Sequence, residues 1–110
     1  MPKNADALQG ALELLILKTL AVRGPLHGYG IALHVESVSD DVLRMEEGSL
    51  YPALHRMEQE GWVRSSWRTS DSNRRAKFYA VTAAGAKRLA EEERTWRLVA
   101  GAIHRVLQLA

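Results

Sequence analysis

Apolar residues recur along this chain at two spacings, one helical and one extended. Over residues 7–22 they form two rows, Leu8, Leu12, Leu15 and Leu14, Leu17, Ala21, which cover two faces of a single helix. That pattern predicts a first helix buried on more than one side. The cluster from Arg23 to Gly28, RGPLHG, ends it. Residues 28–38 predict a second helix with Ile31, Val35 and Val38 inward, closed by Ser39-Asp40-Asp41, and Val42–Met45 fits a short strand. From Glu46 onward, Leu50, Leu54 and Met57 fall at i, i+4 and i+7 and predict a third helix that stops at Gly61. The period then changes to two. Val63, Ser65 and Trp67 share one side of a strand, "DSNRR" forms a turn, and "AKFYAVT" returns as a second strand. Trp67 and Tyr79 are expected in the core beneath this hairpin, with Phe78 half exposed on the opposite side. A last long helix runs from about Ala83 to Leu109, with Thr82 as its N-cap.

Pro52 lies inside the third helix. With Ser49 as N-cap it is the third helical residue, where a missing N–H costs nothing because the first donors of a helix have no internal acceptor. Ser49 and Tyr51 then stand at a helix N-terminus, an environment that favours an anion such as phosphate. The outer side of the helix carries Ser49, Tyr51, His55, Arg56 and Gln59, hydrogen-bonding groups of varied shape.

The chain has 110 residues, enough for one domain with one appended element and a thin core, about 65% of the unfolded surface being buried at this size. It has no cysteine, so disulfides and thiolate metal sites are excluded. Lys18 and Glu13 interrupt the apolar N-terminal stretch, which is read as a helix of a cytoplasmic protein with no membrane partner. Charge changes the picture more. The net charge of +2 conceals an acidic first part: residues 1–61 carry five basic and nine acidic side chains. Residues 62–82 carry Arg64, Arg68, Arg74, Arg75 and Lys77 against Asp71 alone. Two readings stand for this block, a polyanion partner or a solvated hairpin tip. The four histidines, at 27, 34, 55 and 104, have no metal-ligand spacing. No nucleophile elbow or glycine-rich phosphate loop is present. An enzyme is not expected, and neither metal nor cofactor is implied.

Three helices followed by a basic two-stranded hairpin define a winged helix-turn-helix, mainly α in an α+β sense, with a long C-terminal dimerisation helix. Residues 1–82 are read as a DNA-binding domain and residues 83–110 as a dimerisation helix. The second and third helices are the helix-turn-helix, and the hairpin is the wing. At these residues a resemblance is clear. "LLILKTL", "GPLHGYGI", "GSLYPALHRMEQEGWV", "NRRAKFYAVTAAG" and the long last helix resemble the PadR family of transcriptional regulators over nearly the whole chain, in size its short subclass. Gly30 and Ala80 depart from it, standing where a polar residue and a basic residue are common in the family.

The resemblance implies a sequence-specific DNA-binding regulator, in most members a repressor, whose third helix faces double-stranded DNA. Carried over, Ser49, Tyr51, His55 and Arg56 are the candidate readers. Arg56 is suited to a bidentate guanine contact worth ~1–3 kcal/mol of discrimination. Tyr51 has a second reading, a ring stapled against the second helix. Tyr29 either reaches a phosphate or packs at the helix start beside His27, which caps it. Arg74, Arg75 and Lys77 are placed at phosphates or in the minor groove. Three such contacts per subunit predict a slope of roughly −5 for log K against log salt in a dimer.

The partner for a dimer is read from the last helix. Leu89, Trp96, Val99, Ile103, Val106 and Ala110 step by 7, 3, 4, 3 and 4, a heptad seam. The row Leu98, Ala102, Leu109 is assigned to the chain's own first helix. A homodimer formed by the first and last helices is expected, through Leu8, Leu12, Leu15, Leu89, Trp96, Val99, Ile103 and Val106. It places two recognition helices ~34 Å apart on a palindromic site. Trp96 has two readings, a dimer anchor or, as in some short PadR-like proteins, a platform for a flat aromatic effector. A protein-contact role without DNA is the alternative function, since winged folds host several.

Overall fold

A computed structural model of the chain describes residues 2–109, with side-chain environments for residues 11–108. In chain order the elements are α1 (Pro2–Arg23), β1 (Leu26–His27), α2 (Gly28–Val38), α3 (Glu47–Gln59), β2 (Val63–Thr69), β3 (Arg75–Val81) and α4 (Ala83–Leu109). The sheet is antiparallel with order β1-β3-β2. β1 lies within the segment read as a breaker. Its two residues, Leu26 and His27, pair with Tyr79 and Phe78, so the wing is rooted in a third strand.

The core lies where α1, α2, α3 and the base of the sheet converge. Ile16, Leu17 and Leu20 from α1 meet Ile31 and Val35 from α2, Leu50, Ala53, Leu54 and Met57 from α3, and Val63 and Tyr79 from the sheet. The α1 rows are therefore shifted from the expected ones. Leu12, Leu14 and Leu15 are only partly buried, Ala21 is exposed, and Thr19 is buried with its Oγ1 donating to the Leu15 carbonyl at 2.7 Å. Val38, expected inward, is exposed because α2 outruns the core at its last turn. Residues 42–45 are not a strand. They form a bend in which the Ser39 hydroxyl accepts from the Leu43 N–H at 3.0 Å, and only Met45 turns inward.

The ends of α3 show one expectation met and one corrected. At its C-terminus Gly61 has φ +79°, its N–H bonds the Glu58 carbonyl, and the Trp62 N–H bonds the Met57 carbonyl. This is a Schellman closure, and its left-handed residue favours glycine. At its N-terminus the cap is Glu46 and not Ser49: the Ser49 and Leu50 N–H groups both reach the Glu46 carbonyl. Pro52 is thus the sixth helical residue, past the free-donor turn, and its ring removes the bond that the Gly48 carbonyl would accept.

Thr82 caps α4 as expected. Its Oγ1 accepts from the Gly85 N–H at 3.0 Å and donates to the Gly61 carbonyl at 2.6 Å, joining the end of α3 to the start of α4. Gly85 has no room for a side chain, since a Cβ there would stand 2.0 Å from the Trp62 carbonyl oxygen. Gly85→Ala is expected to destabilise the fold by about 1–3 kcal/mol or more, read as a lower urea midpoint, because the neighbour is backbone and cannot rotate away. Leu89 is buried in the core, so the first turns of α4 belong to the winged domain and Leu89 is not a seam residue of a dimer. After Glu93, which pairs with Lys18 of α1 at 3.3 Å, the helix leaves the domain. The 27-residue helix accounts for the elongated extents of 53 × 29 × 27 Å. Leu98, assigned to the chain's own first helix, is 70% exposed and not covered by it. Among the described residues no helix is long and apolar enough to cross a membrane.

Candidate nucleic-acid interface

One side of the molecule gathers the N-terminus of α2, the outer ridge of α3 and the wing. The helical period puts Tyr51, His55 and Gln59 on one row of α3, away from the buried row of Leu50, Leu54 and Met57, and all three are exposed. Tyr51 packs against the second helix and keeps part of its ring in solvent. Its ring lies against Gly28, where a Cβ would be 2.7 Å from the ring, yet it stays 44% exposed. Ser49 is exposed on the flank of the helix that faces α1.

Tyr29 projects from the first turn of α2 and is 65% exposed. His27 caps this helix, its Nδ1 accepting from the Gly30 N–H at 3.0 Å, and its ring meets Phe78 edge-on with centroids 5.1 Å apart. Tyr29 and Tyr51, with Arg74, Arg75 and Lys77, line an open cleft of about 670 Å³ between the two helices and the wing. Tyr79 forms its buried floor. Burial pushes the Tyr79 hydroxyl above its ordinary value, and nearby Lys77 opposes that rise.

The wing turn is set by Asn73 at φ +62° and by the Asn73 N–H bonding the Ser70 carbonyl, with Ser70 and Arg74 paired at 2.7 Å beneath it. Asparagine tolerates this left-handed conformation better than most residues. Arg74 and Arg75 are exposed and have no carboxylate partner among the described residues.

Lys77 differs. Its Nζ stands 3.4 Å from Glu58 Oε1 on α3, while Ser65 Oγ donates to Glu58 Oε2 at 2.6 Å. The hydrogen bond from Ser65, and then the Lys77 charge, hold the Glu58 carboxyl below its ordinary value of 4.5 despite some burial. A lowered folded value means that this pairing stabilises the fold fully above pH 4.5 and is lost as pH falls from there through the folded value. The stability gap between the wild type and Glu58→Gln is therefore expected to close in that acid window, measured by denaturant titrations across pH.

Two expectations are corrected here. Arg56 does not share the exposed ridge. It turns toward α1, with Nη2 3.7 Å from Glu13 Oε2, and its Nε is buried without a hydrogen-bond partner among the described residues. The residue lies about 100° around the helix from His55, on the side that packs against α1. Trp67 is not in the core; it is 59% exposed, opposite Lys77 in the register, with the Arg75 guanidinium 5.7 Å from its ring centre. The alternation placed it on the correct side of the strand, but the core ends at Tyr79 and the strand runs on past it. Trp67 and Glu58 are the two residues of this face that sequence reasoning missed. The alternating pattern carried a signal for the first. None marked the second, an acidic residue on a polar helix face.

Of the residues expected at a dimer seam, Leu12 and Leu15 are partly buried and line a second groove of about 560 Å³ with Val35, Leu43, Met45 and Arg56. Leu8 lies outside the residues whose side chains are described. Trp96, Val99, Ile103 and Val106 are all exposed in the single chain, between 46% and 65%.

A helix-turn-helix flanked by a basic hairpin, with an exposed polar ridge between them, defines a winged-helix protein of the DNA-binding class. Residues 16–91 match the model of the transcriptional regulator PadR-like family, and the chain belongs to that family. It is a DNA-binding regulator of transcription. Among solved structures it is similar to a transcriptional regulator from Clostridium thermocellum, at 26% identity over 91% of this chain and 96% of that one, with a TM-score of 0.79. A PadR family transcriptional regulator from Eggerthella lenta is 28% identical over 99% and 93% of the two chains, with a TM-score of 0.73. A sequence relative, an uncharacterized 37.1 kDa protein in a transposon of Streptomyces fradiae, is 35% identical over 83% of this chain. The chain spans 24% of that protein's length.

Proposed function

We propose that this regulator acts as a homodimer on a palindromic operator, most simply as a repressor in the cytoplasm, with the part of α4 beyond Glu93 as the dimerising segment. The observation that carries the dimer is the distal part of α4: Trp96, Val99, Ile103 and Val106 form an apolar row on a helix that has left its own domain. A seam of this kind has no use in water and fits a second copy of itself. Tyr29, Tyr51 and His55 then face DNA from two helices, with Ser49 left on the α1 side of α3, while Arg74 and Arg75 supply phosphate contacts that set affinity without setting sequence. With Lys77 held by Glu58, the three wing cations expected at phosphates fall to two per subunit, Arg74 and Arg75. The expected salt slope on non-specific DNA drops accordingly, from roughly −5 to about −3.6 for the dimer.

Trp96, half exposed at the start of this row, offers a flat apolar surface for a small aromatic effector at the subunit boundary. An effector bound there that separates the wings weakens DNA binding, and DNA weakens the effector by the same factor. The test is a footprint on the DNA upstream of the chain's own gene. Two protected half-sites one helical turn apart, in an inverted repeat, are the expected result. A protein that leaves such DNA unprotected at low salt instead uses its winged face for protein contacts.

A further inference from the structure

Glu58 is an acidic residue on the side of α3 that faces the wing, next to the row that carries His55 and Gln59. Its carboxylate takes one oxygen to Ser65 Oγ at 2.6 Å and the other to Lys77 Nζ at 3.4 Å. Both partners lie on the same side of the β2–β3 ladder, since Ser65 pairs with Tyr79 and Trp67 with Lys77. The ion pair is partly open to solvent, with 38% of the Lys77 side chain and 33% of the Glu58 side chain exposed. A pair so placed adds little to stability. Arg74 and Arg75, its neighbours on the wing, have no carboxylate partner among the described residues.

We propose that Glu58 is an internal rival of DNA phosphate for Lys77, so that the regulator keeps one cation per subunit in reserve until the wing is seated. The inference rests on the reading that α3 and the wing face DNA. Non-specific binding is almost wholly electrostatic, and each cation withheld removes one phosphate contact from it. Where the wing docks closely, a phosphate oxygen reaches the ammonium group and takes over from the carboxylate, which keeps its hydrogen bond from Ser65. Lys77 thereby contributes to the seated complex more than to chance encounters. Glu58 sets the margin between specific and non-specific DNA; it does not read a base.

The rival reading is a simple brace between wing and helix, and one substitution separates the two. Glu58→Gln keeps an acceptor for Ser65 but releases Lys77. On mixed-sequence duplex DNA the variant is expected to bind more tightly, with a salt slope steeper by about 1.8 for the dimer. The ratio of variant to wild-type affinity should then grow roughly tenfold as salt falls from 200 to 50 mM. The gain should vanish in the Lys77→Gln background, and Ser65→Ala, which leaves the charge in place, should not alter the slope. Weaker binding by Glu58→Gln, an unchanged slope, or an equal gain without Lys77 overturns the proposal while leaving the DNA-facing surface intact. If Arg74→Ala/Arg75→Ala also leaves DNA binding untouched, the surface itself is misassigned and this inference falls with it.

Discussion

Ile103→Glu should give a folded chain that no longer dimerises. Ile103 is 54% exposed on the part of α4 beyond its own domain, so the substitution removes no core contact within the chain. In a symmetric dimer the same residue enters the interface twice. Burying an isoleucine is worth ~1.5–3 kcal/mol, so the two copies forfeit roughly 3–6 kcal/mol before any cost of placing carboxylates in an apolar seam. That corresponds to a loss in dimer affinity of about two to four orders of magnitude. Sedimentation should report single chains where the wild type is paired, with an unchanged helical circular dichroism signal. DNA affinity should fall with it, because each monomer then holds one half-site alone.

The second large effect concerns the wing. Arg74→Ala/Arg75→Ala removes four cations from a dimer, and with ~0.9 of slope per phosphate the dependence of log K on log salt should flatten by about 3.6. Affinity at low salt should drop for every sequence tested, because phosphate contacts position the protein and carry no base information. His55→Ala, on the exposed ridge, should behave differently: a smaller loss that depends on the bases offered. Binding titrations on operator and mixed-sequence duplexes at several salt concentrations separate the two patterns.

Much of this molecule was legible in the order of its residues. Periodicity set out four helices and a hairpin because their apolar positions answer to local geometry: Leu50, Leu54 and Met57 are buried, Gly61 adopts the left-handed conformation, and Thr82 caps α4. The failures share one cause, tertiary extent. Val38 and Trp67 lie on the inward side of their elements but beyond the edge of the core, where no partner exists to cover them. Leu89 fits a heptad seam as well as it fits the monomer core, and only the path of α4 decides between them. β1 is too short to announce itself, and its pairing with β3 joins residues far apart in the chain.

At the candidate site the residue types were legible and their partners were not. Arg56 and Lys77 carry the same charge as Arg74 and Arg75, yet the first is held by Glu13 and the second by Glu58. Nothing in the local sequence around an arginine or a lysine states which distant carboxylate will meet it. The N-cap of α3 failed for a related reason. Ser49 is a good capping residue, but the bend at 42–46 delivers the chain to the helix three residues earlier, and a backbone carbonyl takes the free donors instead.

The most direct measurement is the mass of the complex on a duplex that carries an inverted repeat from the upstream DNA, by sedimentation or light scattering. Two chains per duplex, reduced to weak single-chain binding by Ile103→Glu, is the predicted result. One chain per duplex for the wild type, or an Ile103→Glu variant that binds as a pair with undiminished affinity, would contradict it.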